Sequence, residues 1–220
     1  MINAISNYWR RRRMHTIKPF VKTADPGDLR ISFCDTNADM TEELAKAFSN
    51  TDAVEVLLGD LLNLSCDAIL SPANSFGDMG GGIDKHIDDF FRGEAQRQVM
   101  AAIQERFFGE LPVGQAHIIS TNHQRFPFLI CAPTMRVPGN VSKSINAYLA
   151  FRAALIAIHR HNETNERKIR SLASPGLGTG VGGIPLEKSA LQMRTAYKMI
   201  MEKGWREVNL PALAPFAFSC

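Results

Sequence analysis

The stretch SPANSFGDMGGGID, Ser71–Asp84, follows the apolar run Asp67–Ser71 and carries almost no bulk. Three consecutive glycines, Gly80, Gly81 and Gly82, precede a segment with Ile83, Ile87, Phe90 and Phe91 at helical spacing. A helix that begins on bare glycine exposes unshielded backbone N–H groups, the arrangement that attracts phosphate oxygens. A second stretch of the same design, PGLGTGVGGIP (Pro175–Pro185), follows the strand-like IRSLAS and leads into another amphipathic segment. Tight turns would need one or two glycines apiece. The eight at 80, 81, 82, 176, 178, 180, 182 and 183 point to backbone that something approaches closely.

Working outward, apolar periodicity alternates between two and 3.6. Leu29–Cys34, Val54–Leu58 and Asp67–Ser71 read as strands, and so do the runs QAHIISTN, PFLICAP, IRSLASP and EVNLPAL. TEELAKAFS reads as a helix with Thr41 as N-cap. Residues 82–108 read as two helices broken near Gly93. Val141 to His161 reads as the longest helix, with Ile145, Leu149, Leu155 and Ile158 inward, and the helix after Pro185 stops at Gly204. Strands alternating with helices imply a three-layer α/β/α architecture around a mixed, mostly parallel sheet. The absence of a helix between Val54–Leu58 and Asp67–Ser71 predicts one departure from the βα repeat. Ligands of such sheets bind beyond the carboxyl ends of the strands, which puts both glycine loops on one rim.

Composition bounds the rest. The 220 residues are 45% hydrophobic and carry 25 basic and 22 acidic side chains, a net charge of +3 that sets no global field for nucleic acid. Residues 29–220 read as one domain. Residues 1–28 read as a basic arm, whose Arg10, Arg11, Arg12 and Arg13 suit either solvation or a weak, salt-sensitive grip on polyanions. No apolar run is long enough to span a membrane, the N-terminus has no signal-like h-region, and Cys34, Cys66, Cys131 and Cys220 form no CxxC pair. A reduced, cytoplasmic protein is the expectation. No metal centre is expected: His159 and His161 face apart on a helix, His123 sits in a connecting turn, and His86, close to Asp84, either reaches the rim or stands exposed on its helix. Arg136, at the end of a strand on the rim, reads equally as a phosphate partner or as a surface side chain. GTGVGG satisfies G-x-G-x-x-G, but too little chain follows it for a dinucleotide fold, and no Gly-Lys-Ser/Thr makes a P-loop.

The pair of loops resembles the two signatures of the macro domain family, GDLLNLSCDAILSPANSFGDMGGGID for the first and LGTGVGGIP for the second, over Val54 to Leu213. The resemblance implies the family's ADP-ribose site, with no cofactor. On the matching positions Asp60 would accept the adenine amino group and Leu61 would lie beside the purine. Asn74 and Gly80, Gly81 and Gly82 would meet the distal ribose and diphosphate, and Gly178, Thr179, Gly180, Val181 and Gly182 would wrap the diphosphate. Asp84 falls where hydrolytic members carry a catalytic acid, with Asn74 orienting ribose or water. Three departures stand out. Gly182 replaces a frequent aromatic, for which Phe76 is the candidate substitute. Ser71-Pro72 replaces a common Asn-Ala. No Gln-Glu-Glu follows the glycine run, against a poly(ADP-ribose) glycohydrolase. Two functions remain: a hydrolase acting on an ADP-ribosyl conjugate at the distal anomeric carbon, or a non-catalytic reader of ADP-ribose or a related nucleotide.

Overall fold

Strand order in the computed structural model, which describes residues 29–207, is β2-β1-β6-β3-β5-β4. The strands are β1 (Arg30–Asp35), β2 (Val54–Leu58), β3 (Ala68–Ser71), β4 (His117–Ser120), β5 (Phe128–Cys131) and β6 (Ser171–Ser174). All pairings are parallel except β4 with β5, which register Ile118 on Ile130 in an antiparallel hairpin. The helices are α1 (Ala38–Ala47), α2 (Gly82–Phe90), α3 (Glu94–Phe107), α4 (Asn146–Thr164) and α5 (Leu186–Ile200). The expected mixed, mostly parallel three-layer sheet is present. The basic arm with Arg10–Arg13 and the strand expected in EVNLPAL lie outside the described residues, apart from Glu207, which closes a 3-10 turn.

Alternation along the strands divides the apolar residues between two cores. Ile31, Phe33, Ala68, Leu70, Phe128, Ile130 and Leu172 face one side and pack against residues of α1, α4 and α5. Cys34, Ile69, Leu129, Cys131 and Ala173 face the other, against α2 and α3. The segment 59–67 explains the missing helix. It leaves edge strand β2 and enters β3 three places away, so it must cross the sheet. It does so through a 3-10 turn (Leu61–Asn63) that buries Leu61, Leu62, Leu64 and Cys66 in the second core. Nine residues holding four buried apolar side chains do the covering that a helix does elsewhere.

The helix boundaries correct three expectations. Asn37, not Thr41, caps α1: its Oδ1 accepts from the amides of Asp39 (2.9 Å) and Met40 (3.2 Å). Thr41 is buried inside the helix, its hydroxyl donating to the Ala38 carbonyl. The helix expected from Val141 begins only at Asn146, because the Val141 amide donates to the Gly182 carbonyl and Val141–Ser144 forms a turn. Ile145 therefore stands at the helix entrance, 43% exposed, rather than inward, whereas Leu155 and Ile158 are buried as expected. The break at Gly93 holds, with φ +80°. The α5 helix ends at Ile200, before the Gly204 expected to stop it.

Candidate functional site

Parallel pairing brings the carboxyl ends of β1, β3, β5 and β6 to one rim, and a cleft of about 540 Å³ opens there. Both glycine loops line it, Gly81 and Gly82 from one side and Gly178 to Gly182 from the other. Among the described residues, the backbone amides of Gly81 and Gly82 donate to nothing, nor do those of Thr179, Gly180, Val181 and Gly182. The first pair stands at the α2 N-terminus, where a helix leaves its amides without internal acceptors. Two rows of unspent N–H donors thus border one cavity. Such donors bind an anion by hydrogen bonding and by the positive end of the helix dipole.

The second loop is built without room for side chains. A Cβ on Gly182 would lie 2.5 Å from the Gly178 carbonyl oxygen and 2.9 Å from a Val141 methyl. An aromatic residue here is therefore excluded by the loop's own geometry. Gly180 and Gly81 differ, since a Cβ at either would meet nothing within 4 Å.

At one end of the cleft Asp60 follows β2 and caps the 3-10 turn, accepting from the Leu62 amide at 2.9 Å. His86, on α2, places Nε2 3.2 Å from both of its carboxylate oxygens. Burial pushes the Asp60 carboxyl up, but the Leu62 amide, His86 and Arg125 together outweigh it and hold the group below its ordinary value. Leu61 is buried beside it and lines the cleft. The Cys34 thiol on the cleft floor is pushed up to about 11, by burial first and then by Asp35, so it stays protonated near neutrality.

Asp84 sits in the first turn of α2, half-buried, and lines the cleft. Its Oδ1 accepts from the Ser71 hydroxyl at 2.6 Å and from the Ala73 amide at 3.2 Å. Burial dominates its titration and pushes the carboxyl up to about 6, against the lowering effect of those two donors and with a further push from Asp78. Asn74 also lines the cleft, but its carboxamide is largely spent on its own loop. Oδ1 accepts from the amides of Phe76 (3.0 Å) and Asp78 (3.3 Å), and Nδ2 donates to the Asp78 carbonyl (3.3 Å). One Nδ2 proton is left for a ligand.

Three residues singled out in the sequence, Phe76, Arg136 and Gly80, stand apart from the others. Phe76 does not line the cleft, and the Arg136 guanidinium lies 5.2 Å over its ring, so it does not stand in for the missing aromatic. Arg136 in turn is held by Glu110 through bonds of 2.8 and 2.9 Å. Gly80 also stays off the cleft lining, with its amide spent on Asp78 at 2.9 Å. Conversely, Asp35 and Asp78 line the cleft without a sequence signal that singled them out, and His86, expected as an exposed helix position that could reach the rim, does reach it. Asp35 ties the root of the second glycine loop to β1 by accepting from the Gly176 amide at 3.1 Å. Its signal was available, because a parallel β1 must end on the same rim as the other ligand-binding strands.

Comparison with known proteins agrees with this geometry. A family model described as Macro domain matches residues 70–193. An uncharacterized protein of Aquifex aeolicus is 34% identical over 140 residues, covering 64% of this chain and 78% of its own length. One of Aeropyrum pernix is 33% identical over 165 residues, covering 74% and 80%. Among solved structures, the macrodomain of Mycobacterium tuberculosis DarG superposes with a TM-score of 0.53 at 25% identity, covering 64% of this chain and 87% of that one. A variant of the Oceanobacillus iheyensis macrodomain with ADPR shares the fold at a TM-score of 0.55 and 20% identity, covering 66% and 76%. With its matched segment spanning more than half the sequence and the fold and paired glycine loops in place, this chain belongs to the macro domain family.

Proposed function

We propose that the chain binds ADP-ribose in this cleft and hydrolyses an ADP-ribosyl conjugate at the anomeric carbon of the distal ribose. The observation that carries the reading is the pair of unspent amide rows facing one cavity, with a carboxylate at each of two separated positions, Asp60 and Asp84. The diphosphate lies between the glycine loops and is held by backbone donors. Adenine lies at the Asp60–Leu61 end, where the carboxylate accepts from the exocyclic amine and shares its charge with His86. The distal ribose lies over the first loop beside Asp84. Cleavage at that carbon passes through an oxocarbenium-like state, which a nearby carboxylate stabilises while a water attacks. Asp84 supplies that carboxylate or accepts the proton of the water. A protein of similar fold determined with ADPR supports the choice of ligand.

The reader alternative draws on two features. The aromatic that would constrain the ribose at position 182 is sterically excluded, and Asn74 is mostly committed to its loop. Calorimetry tests the shared part of the two readings. ADP-ribose is expected to bind with a micromolar Kd, on the order of −8 kcal/mol. AMP, lacking the diphosphate and distal ribose, binds far more weakly, and Asp60→Ala costs about 1.5–3 kcal/mol. Equal affinity for AMP and ADP-ribose would sink the clamp. Turnover of ADP-ribosylated protein, nucleic acid and small-molecule conjugates then separates enzyme from reader. Asp84→Ala is expected to lower kcat about 100-fold, roughly 2.7 kcal/mol of barrier, with ADP-ribose affinity nearly unchanged. No turnover of any conjugate leaves the reader.

A further inference from the structure

We propose that Ser71 is the positioning residue of this cleft: its hydroxyl fixes the Asp84 carboxylate against the end of β3 so that the second carboxylate oxygen faces the bound ligand. The inference rests on Asp84 being the working acid of the proposed hydrolase. Ser71 is the last residue of β3 and fully buried, and its proton goes to Asp84 Oδ1 at 2.6 Å. The Ala73 amide meets the same oxygen at 3.2 Å, while Oδ2 accepts from no described residue. Between the two donors stands Pro72, which has no N–H, so the backbone offers no third donor from this turn. Serine-proline here therefore places the hold on a single hydroxyl and a single amide.

Asp84 also stands at the positive end of the α2 dipole, but among the described residues no side chain besides Ser71 donates to its carboxylate. Asp78 of the first glycine loop pushes the group up, the protonated Cys131 thiol of β5 lies close enough to feel the Asp84 charge, and among the described residues no lysine or arginine lines the cleft. On α2 itself, His86 is engaged with Asp60, and Asp88 accepts from the Gln96 amide. Burial works against the charge, and Ser71 and the Ala73 amide are the hydrogen-bond donors that oppose it, alongside the helix dipole. Removing the hydroxyl both frees the carboxyl to rotate and makes it harder to ionise.

Carboxyl NMR titration of Asp84 in the full chain, without ligand, reads this directly. Ser71→Ala is expected to raise the Asp84 midpoint by about one pH unit, and Ser71→Cys, nearly isosteric but a weaker donor, by less. In the turnover assay the acid limb of the kcat profile moves up by the same amount, while KM for the conjugate changes less than about twofold. If Ser71→Ala does not fold, the cysteine variant gives the same reading with a smaller shift. An unmoved midpoint in a folded variant overturns the Ser71 hold, whether or not the chain is an enzyme. A midpoint that moves while the acid limb stays in place overturns its link to turnover. A wild-type chain with no turnover overturns the hydrolase reading, and with it the catalytic half of this proposal.

Discussion

Gly180 and Gly182, two positions apart in one loop, are glycine for opposite reasons. A Cβ at Gly182 has no room, with the Gly178 carbonyl oxygen 2.5 Å away, whereas one at Gly180 meets open space. Gly81, on the facing loop, resembles Gly180, and neither has a positive φ. Folding therefore does not need glycine at 81 or 180, and close approach of a ligand does. Gly81→Ala and Gly180→Ala are expected to melt within about 1 °C of the parent, since surface changes of this kind cost little. Each should weaken ADP-ribose binding at least about tenfold by standing between the phosphate and the amides. Gly182→Ala should instead destabilise by about 1–3 kcal/mol, the scale of an overpacked site. Wild-type affinity in Gly180→Ala would show that the diphosphate does not lie over that residue.

At the scale of an element, α2 carries the site and its cost together. The helix docks its first turn on the end of β3 through Asp84, whose carboxyl is pushed up to about 6, chiefly by burial. A folded-state pKa above the unfolded value means the folded protein holds that proton more tightly. Stability is highest below the unfolded pKa near 4, falls as pH rises through about 6, and stays low above it. Asp84→Asn keeps the acceptor for Ser71 and Ala73 and removes the charge. It is expected to be more stable than the parent at pH 8 by on the order of 2 kcal/mol and indistinguishable from it at about pH 4. Denaturation of both proteins across that range measures the difference. Parallel stability curves would mean the carboxylate is well solvated. A polar group held at a stability cost is what a functional position looks like.

For the whole molecule, the cleft's charge contradicts its expected cargo. Among the described residues, Asp35, Asp60, Asp78 and Asp84 line it, His86 is its one basic side chain, and neither lysine nor arginine lines it. Each of these carboxylates accepts at least one backbone amide, so they shape the loops rather than greet an anion. A diphosphate bound here relies on short-range amide donors against a repulsive background, and salt screens the repulsion more than the contacts. ADP-ribose affinity is therefore expected to change less than about threefold, or to rise, between about 50 and 500 mM NaCl. A steep loss with salt would place cations at the phosphates and require a different seat for them.

Local periodicity carried most of the architecture. Val54–Leu58 is a strand with the predicted limits, the helices break at Gly93, and both glycine loops share a rim because parallel strands end together. The bare glycine loops were legible from the residues themselves, whereas Asp60, Leu61, Asn74 and Asp84 reached the cleft through the macro domain resemblance, which rests on two short contiguous signatures. The rest was decided by contacts that no window contains. Asp35 meets Gly176 across 141 positions and His86 meets Asp60 across 26. Phe76 turns away under Arg136, whose own partner Glu110 is also 26 positions distant. Even the α1 cap was misread, because Thr41 satisfies its hydroxyl inside the helix while Asn37 does the capping. Which backbone is bare, which segments alternate and which acids stand near the rim can be read from local composition and order alone. How buried each acid is and which donor it meets follow from the folded chain, because desolvation and hydrogen bonding depend on what it brings within a few ångströms.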